Sequence, residues 1–397
     1  MRIVFCQRVL PEYNVPLYRR LSARWDIEWV LSRFAQRERF YFDPERLGPI
    51  RVRTLRAPPF PLLPFRSRLL NKAPVAAHLV GLSVGLARVL LRGRWDVVIG
   101  GDPASFECLT AFLVARRTGA RFVLASDTWR WPVLWKDRWR VPLVRRMVRR
   151  ATALVAGGSR ARDWLLALGA EPGRVFNVYH TNVTPRPSPR PRPAGDRFVL
   201  FVGRLEERKG VEYLLEAFAG LGARHRDVRL VVVGRGARRP ALEAHARRLG
   251  LADRVEFAGW VDHAEIGRYY ERCALFVLPS IFTADGGYEP FSNAVMEAMA
   301  CGAPAVTTTA NGVAADVIDS GVNGLVVPER DVAALRAALL RLLDDPEAAE
   351  ALGRAGWETV RREFNVDRMA ERFSAALEYV QAQHARERGA THVASGG

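Results

Sequence analysis

The chain holds 397 residues, 49% of them apolar, with 60 basic and 42 acidic side chains and a net charge of +18. That length exceeds one ordinary core and that apolar content excludes a disordered polymer, so two globular domains are expected. Four scattered cysteines with no CxxC and no metal-ligand spacing exclude a disulfide scaffold or a zinc module, and read as small buried thiols in a reduced compartment.

In chain order, "RIVFC" (2–6) is an apolar β-branched run closed by a loop, the pattern of a first buried parallel strand. "DVVIGG" (96–101), "RFVLASD" (121–127) and "ALVAGGS" (153–159) repeat it, with helical stretches between them. "TPRPSPRPRPAGD" (184–196) carries five prolines and forms neither strand nor helix, so it reads as an extended connector. Beyond it the alternation restarts: strands at "RFVLFVGRL", "VRLVVVGRG", "RVEFAGW", "CALFVLPS", "PAVTTT" and "GLVVPE", with helices such as "GVEYLLEAFAGL" between. The fold class expected is α/β, two Rossmann-like doubly wound parallel sheets facing across a cleft. Boundaries fall at 1–184, a hinge at 185–195, a second domain at 196–384 and a polar, glycine-rich disordered tail at 385–397.

Charge is divided unevenly. Residues 1–195 carry 35 basic and 13 acidic side chains, a surplus of 22, while the remainder is slightly acidic. An anionic partner is expected on the first half: phospholipid, nucleic acid or a phosphorylated acceptor. Pro11 arrives too early for a signal peptide, and the apolar stretch 75–91 is interrupted by His78 and Arg88, so a buried helix fits it better than a span. The expected location is cytoplasmic, with a peripheral place at the inner membrane face kept open.

The second half holds the chemistry. "FVGRLEERKG" (201–210) places Gly203 and Arg204 at a strand end and Lys209 five residues on. Gly203 admits close backbone approach, Arg204 offers a planar fork for phosphate and Lys209 a point charge; as a lone motif the pair also reads as solvated loop cations. In "EPFSNAVMEAMACGAPAV" (289–306), Ser292 is an N-cap candidate and the amides of Asn293, Ala294 and Val295 point out of the positive helix end. Glu289 precedes that end and Glu297 shares a face with Asn293, so the two carboxylates suit sugar hydroxyls on either side of a diphosphate. Without that partner they read as a solvated helix face. "VVVGRGARRP" (231–240) begins like a dinucleotide fingerprint at Gly234 but has no third glycine in register, which favours another cleft-facing turn over NAD binding.

G-R-L-x-x-x-K-G followed by E-P-F-x-x-x-x-x-E-A-M-A-x-G-x-P resembles the retaining glycosyltransferases of the GT-B fold, family GT4, and "GVNGLVVPERDVAALRAALLRLLDD" (321–345) resembles their continuation. The resemblance covers the second domain strongly and the first in outline. It implies an acceptor-binding first domain, a nucleotide-sugar-binding second domain, and a last helix that can pack back on the first. It implies that Arg204 and Lys209 bind the donor diphosphate, Glu297 the ribose, Glu289 the sugar, and that Trp260 at the strand end 258–260 lies near the base. Ser292 departs from the family's usual glycine. The implied mechanism takes no metal and no cofactor: the acceptor attacks on the leaving group's side and a phosphate oxygen takes its proton.

Arg8, Tyr13 and Asn14, after the first strand, are acceptor candidates, although Tyr13 serves equally as packing. Asp102 is either a ligand or a helix cap. Asp127 stands near where relatives carry a histidine and is either the contact to the acceptor hydroxyl or a turn cap, while His180 reads as a loop residue. In 129–151 four tryptophans precede a helix with Val144, Met147, Val148 and Ala151 on one face and Arg145, Arg146, Arg149 and Arg150 on the other. That is either a contact to anionic membrane or a packed helix with a solvated face. The function expected is transfer of a hexose-like sugar to a lipid-linked or glycan acceptor, with no specific nucleic acid. Alternatives are a GT-B epimerase or phosphorylase, or a polyanion-binding protein.

Overall fold

A computed structural model describes residues 1–7, 14–33, 50–56, 83–129, 135–179, 181, 183–186 and 197–394. The chain divides into two compact units, Met1–Asn182 joined by the C-terminal segment from Asp367, and Val183–Val366. Residues 187–195 of the expected hinge lie outside the described residues. The last helix, Val366–Ala394, for which packing back on the first domain is one expectation, belongs to the first unit beyond its opening residue and continues to Ala394, into the stretch 385–397 expected as a disordered tail.

The first unit is one parallel sheet of β1 (Arg2–Gln7), β2 (Asp26–Arg33), β3 (Arg51–Arg56), β4 (Val97–Gly100), β5 (Arg121–Ser126), β6 (Ala153–Ala156) and β7 (Val175–Asn177), in the order β3-β2-β1-β4-β5-β6-β7. Ile3 pairs with Ile27 on one side and Val97 on the other, and all three are buried, as a strand covered on both faces requires. Aromatic rings close this core: Phe5 stacks on Trp29 at 4.8 Å, and Tyr18 tilts against Trp29 at 4.1 Å. The last helix seals it through Phe373, 6.0 Å from Phe5, and through Ser374, which accepts from Trp25 Nε1 at 3.1 Å. Of the apolar stretch 75–91, residues 83–92 are helical with Leu86 and Leu90 buried; residues 75–82 lie outside the described residues.

The second unit is another parallel sheet: β8 (Phe198–Val202), β9 (Arg229–Val233), β10 (Val255–Gly259), β11 (Leu275–Leu278), β12 (Ala305–Thr308) and β13 (Leu325–Val327), in the order β10-β9-β8-β11-β12-β13. Leu200, Phe201, Val232 and Phe276 are fully buried within it. Each unit is therefore a doubly wound α/β sheet, as the alternation of strands and helices predicts. In the second unit the order of the strands reverses between β8 and β11. Ligands of such sheets bind beyond the strands' carboxyl ends at this switch point.

Candidate active site

The loops leaving β8, β11 and β12 meet at this switch point. After β8, a short 3-10 turn at Glu207–Lys209 ends on Gly210, whose φ is 63°. A Cβ at Gly210 would strike the Pro279 carbonyl oxygen, so only glycine lets the turn lie against the end of β11. The Ile281 amide donates to the Arg208 carbonyl at 2.9 Å and ties the two loops together.

The β11 loop carries Glu289 and is held from the β12 side. Thr308 donates its hydroxyl to the Ser280 carbonyl. The Gly312 amide donates to the Glu289 carbonyl at 3.0 Å, and Glu289 bridges Asn311 in parallel. Buried Asn311 is in turn fixed by donating to Thr307 Oγ1 at 3.2 Å and accepting from the Val313 amide at 3.1 Å. The backbone of Glu289 is thus part of the sheet's polar edge.

Side-chain charge gathers at one atom. Glu289 Oε2 accepts from Lys209 Nζ and from Arg208 Nη1, the latter at 2.9 Å, with Glu289 and Lys209 each only 7% exposed. Arg208 also donates through Nε to Glu206 Oε2 at 3.2 Å, and Glu206 Oε1 pairs with Arg204 Nη1 at 3.0 Å. Five charged groups therefore form one chain, Arg204–Glu206–Arg208–Glu289–Lys209, with one positive charge in excess. Among the described residues Glu289 Oε1 accepts nothing. The site can therefore attract an anion while presenting a carboxylate oxygen to a hydroxyl.

Sequence reasoning assigned Lys209 and Glu289 to different parts of a ligand, and the fold pairs them directly. It missed Glu206, Arg208, Asn311 and Gly312, because "EERK" and "TANG" read locally as a solvated run and a turn.

The helix Asn293–Ala300 begins beside Glu289, with Ser292 as its N-cap. Ser292 is buried and its hydroxyl accepts from the Val295 amide at 3.5 Å. That corrects the expectation of three outward amides: the cap engages Val295, and Asn293 and Ala294 keep amides without an intrahelical partner. Asn293 Oδ1 and Ser280 Oγ are buried with no partner among the described residues. Glu297 is anchored through Oε2 by the Tyr270 hydroxyl at 2.9 Å. Tyr270 is buried, and that burial, followed by the Glu297 charge, pushes its phenol well above its ordinary pKa.

Gly203 and Gly234 lie at neighbouring strand ends. Gly234 has φ 141°, and a Cβ on it would strike the Gly203 carbonyl oxygen, so Gly234 permits the close approach of the two backbones. Trp260, just past β10, is 51% exposed and the Arg235 guanidinium lies 5.7 Å from its ring centroid.

In the first unit, Arg8, Tyr13 and His180 fall outside the described residues. Asn14 is buried and donates to Tyr18 at 3.0 Å, which donates to Gln7 at 2.9 Å; this is an internal chain rather than an acceptor-facing surface. Asp102 accepts from the Ala104 amide at 3.0 Å, a turn ahead of the helix Phe106–Thr118, whose cap is Ser105. Asp127 follows β5, half-buried. The helix Val141–Arg150 buries Val144, Met147 and Val148 in the core, leaves Arg145, Arg146, Arg149 and Arg150 outward, and follows a 71%-exposed Trp139. Its apolar face is thus committed to the protein interior, and only the arginines and Trp139 remain for an anionic surface. Among the described residues no group of His, Cys, Asp and Glu has the arrangement of a metal site, and no helix is long and apolar enough to cross a membrane.

Comparison with known proteins agrees with this geometry. Residues 12–179 match the glycosyl transferase 4-like domain and residues 186–359 match glycosyl transferases group 1. The chain is 29% identical over 348 residues to the 2-deoxystreptamine glucosyltransferase of Streptomyces kanamyceticus, covering 80% of this chain and 86% of that one. It is 40% identical over 154 residues to the alpha-D-kanosaminyltransferase of the same organism, 39% of this chain and 38% of the relative. Several curated relatives, this one among them, are matched over only about two fifths of their own length. Among solved structures, Anabaena HepE in complex with UDP and glucose superposes with a TM-score of 0.73 at 18% identity, over 95% of this chain and 99% of that one. Two parallel doubly wound units, a switch-point cluster of Arg204, Lys209 and Glu289, and the two adjoining family matches establish that the chain belongs to the GT4-like glycosyltransferases of the GT-B fold.

Proposed function

We propose that the protein transfers a hexose, with retention, from a nucleoside diphosphate sugar to a hydroxyl of a lipid-linked or glycan acceptor. The observation that carries the reading is Glu289, held at Oε2 by Lys209 and Arg208 with Oε1 unbonded among the described residues, at the switch point of the second sheet. A diphosphate entering there would meet Lys209, Arg204 and the amides of Asn293 and Ala294. Glu289 Oε1 then faces the sugar, Glu297 the ribose, and Trp260 with Arg235 the base. HepE, solved with UDP and glucose, and the glucosyl- and kanosaminyltransferase relatives support a nucleotide-sugar donor.

In the step proposed, the bond between the anomeric carbon and the diphosphate oxygen breaks and the acceptor oxygen bonds to that carbon on the same face. The acceptor's proton passes to the departing phosphate. Lys209 and Arg204 stabilise the charge that develops on the diphosphate, and Glu289 the positive charge at the anomeric carbon. These side chains supply that stabilisation without a metal ion, and Asp127 is kept as a candidate contact to the acceptor hydroxyl. The relatives favour transfer over epimerisation, phosphorolysis or simple polyanion binding. The basic surplus of the first half, with the arginine face of Val141–Arg150, favours an anionic acceptor or a peripheral place on an anionic membrane in the cytoplasm.

Calorimetric titration with UDP, GDP and ADP, followed by mass analysis of the sugar transferred from the matching donor, tests the reading. Binding of one base class in the micromolar range and donor turnover are expected. A folded protein that binds none of the three contradicts it.

A further inference from the structure

Arg208 is assigned no contact to the donor, yet it bonds to two carboxylates and a carbonyl in the site. Its Nη1 donates to Glu289 Oε2 at 2.9 Å and to the Tyr288 carbonyl at 3.3 Å, and its Nε donates to Glu206 Oε2 at 3.2 Å. Its own carbonyl is tied to the Ile281 amide at 2.9 Å. The guanidinium is therefore fixed by two carboxylates and by the Tyr288 carbonyl, while the Arg208 backbone is tied to the start of the β11 loop. The Lys209 ammonium, by contrast, meets Glu289 alone among the described residues and has two further N–H donors on a rotatable group.

A donor diphosphate competes with Glu289 for Lys209, because both are anions and the ammonium is a single point charge. If Lys209 were the sole counter-ion, its move to phosphate would leave a buried carboxylate uncompensated beside further negative charge. We propose that Arg208 is a positioning residue that holds the Glu289 carboxylate in place while Lys209 turns to the donor. Glu206 serves the same arrangement by holding the guanidinium at its other edge and by keeping Arg204 nearby. This inference rests on the donor site proposed above.

The placement predicts a split between binding and turnover. In Arg208→Gln the nucleoside diphosphate still meets Lys209 and Arg204, so its affinity should change by no more than about threefold, whereas release of that nucleotide from its sugar donor should slow on the order of 100-fold. Arg208→Lys should recover little, since an ammonium cannot bridge Glu206 and Glu289 together. Lys209→Ala should instead lose nucleotide affinity together with turnover. The measurement is calorimetry with UDP, GDP and ADP and steady-state donor turnover on wild type and these variants, with circular dichroism confirming the fold. If Arg208→Gln loses nucleotide affinity as Lys209→Ala does, Arg208 is a phosphate ligand and the inference fails. Wild-type turnover in Arg208→Gln, or full rescue by lysine, also overturns it. Wild-type protein that binds none of the three nucleotides overturns the donor site itself and this inference with it.

Discussion

Lys209 and Glu289 stand 80 positions apart in the chain and meet as a buried ion pair that Arg208 shares. Removing either member therefore has unequal consequences. Glu289→Gln removes the carboxylate that Lys209 pairs with and leaves Arg208 with Glu206, and should destabilise the second unit by about 3–5 kcal/mol. Lys209→Ala leaves Glu289 with Arg208 and should cost less. Both should slow transfer by roughly 100- to 1,000-fold. Because a diphosphate supplies the charge that Glu289→Gln removes, the bound nucleotide should raise that variant's melting temperature more than it raises the wild type's. Thermal melts with and without the nucleotide decide the matter; equal rescue would mean the carboxylate does not compensate these cations.

Tyr270 makes a second, pH-linked prediction. Its phenol donates to Glu297 at 2.9 Å and is held protonated by burial first and by the Glu297 charge second. A group whose folded pKa is raised contributes stability that is complete below its unfolded value, about 10 for tyrosine, and is lost as pH climbs through the folded one. Wild-type stability should therefore fall above pH 10 more steeply than that of Tyr270→Phe, which should itself lose about 1–2 kcal/mol at neutral pH. Loss of this bond to Glu297 should weaken nucleotide binding several-fold with donor-saturated turnover nearly unchanged. A Tyr270→Phe variant with wild-type affinity would remove the hydroxyl from the account of ribose binding.

The thiols give a third. Burial first and the Glu271 and Glu297 charges, against Arg186, hold the Cys301 thiol up at about 11, and burial foremost raises Cys6 and Cys108 above the usual thiol range. Cys273 is also buried. The thiolate is the reactive species, so the folded protein should be nearly inert to alkylation at pH 8, with Cys301 the first to react as pH rises toward 11. Denaturant should expose all four. Rapid labelling of Cys6 or Cys108 in the native protein would contradict their burial in the first sheet.

What the sequence displayed follows from where each strand sits. Apolar runs marked β1, β4, β5, β6, β8, β9, β11 and β12, whose central residues are buried on both faces, and the sequence also marked the edge strands β10, which exposes Glu256, and β13. The sequence reading passed over β2, β3 and β7. β3 is an edge strand written "RVRTLR", free to expose arginines, β7 is a three-residue edge, and β2 mixes Asp26, Glu28 and Arg33 with its apolar residues. The site was legible where a residue type is chemically unusual for its place, as with Lys209 in an arginine-rich chain and the Glu289–Glu297 spacing. It was not legible where the role comes only from tertiary proximity. Arg208 looks like one more arginine until the β11 loop brings Glu289 to it, and Tyr270 looks like core until it reaches Glu297.

Gly312 supplies the last prediction, because it separates a backbone effect from a charge effect. Its φ is −60°, which any residue adopts, yet a Cβ would run into the Pro290 carbonyl oxygen next to Glu289. Gly312→Ala must then push the Glu289–Pro290 backbone away from Asn311 and should cost about 1–3 kcal/mol, with transfer slowed on the order of 100-fold as the carboxylate shifts. Gly321 provides the comparison: its φ of 92° strains any side chain, but nothing lies within 4 Å of the added methyl. Gly321→Ala should lose about 1–2 kcal/mol from backbone strain alone and keep its turnover. Denaturant melts and donor turnover on the two variants separate the cases. If Gly312→Ala is as active as Gly321→Ala at matched stability, the position of the Glu289 backbone does not set the rate.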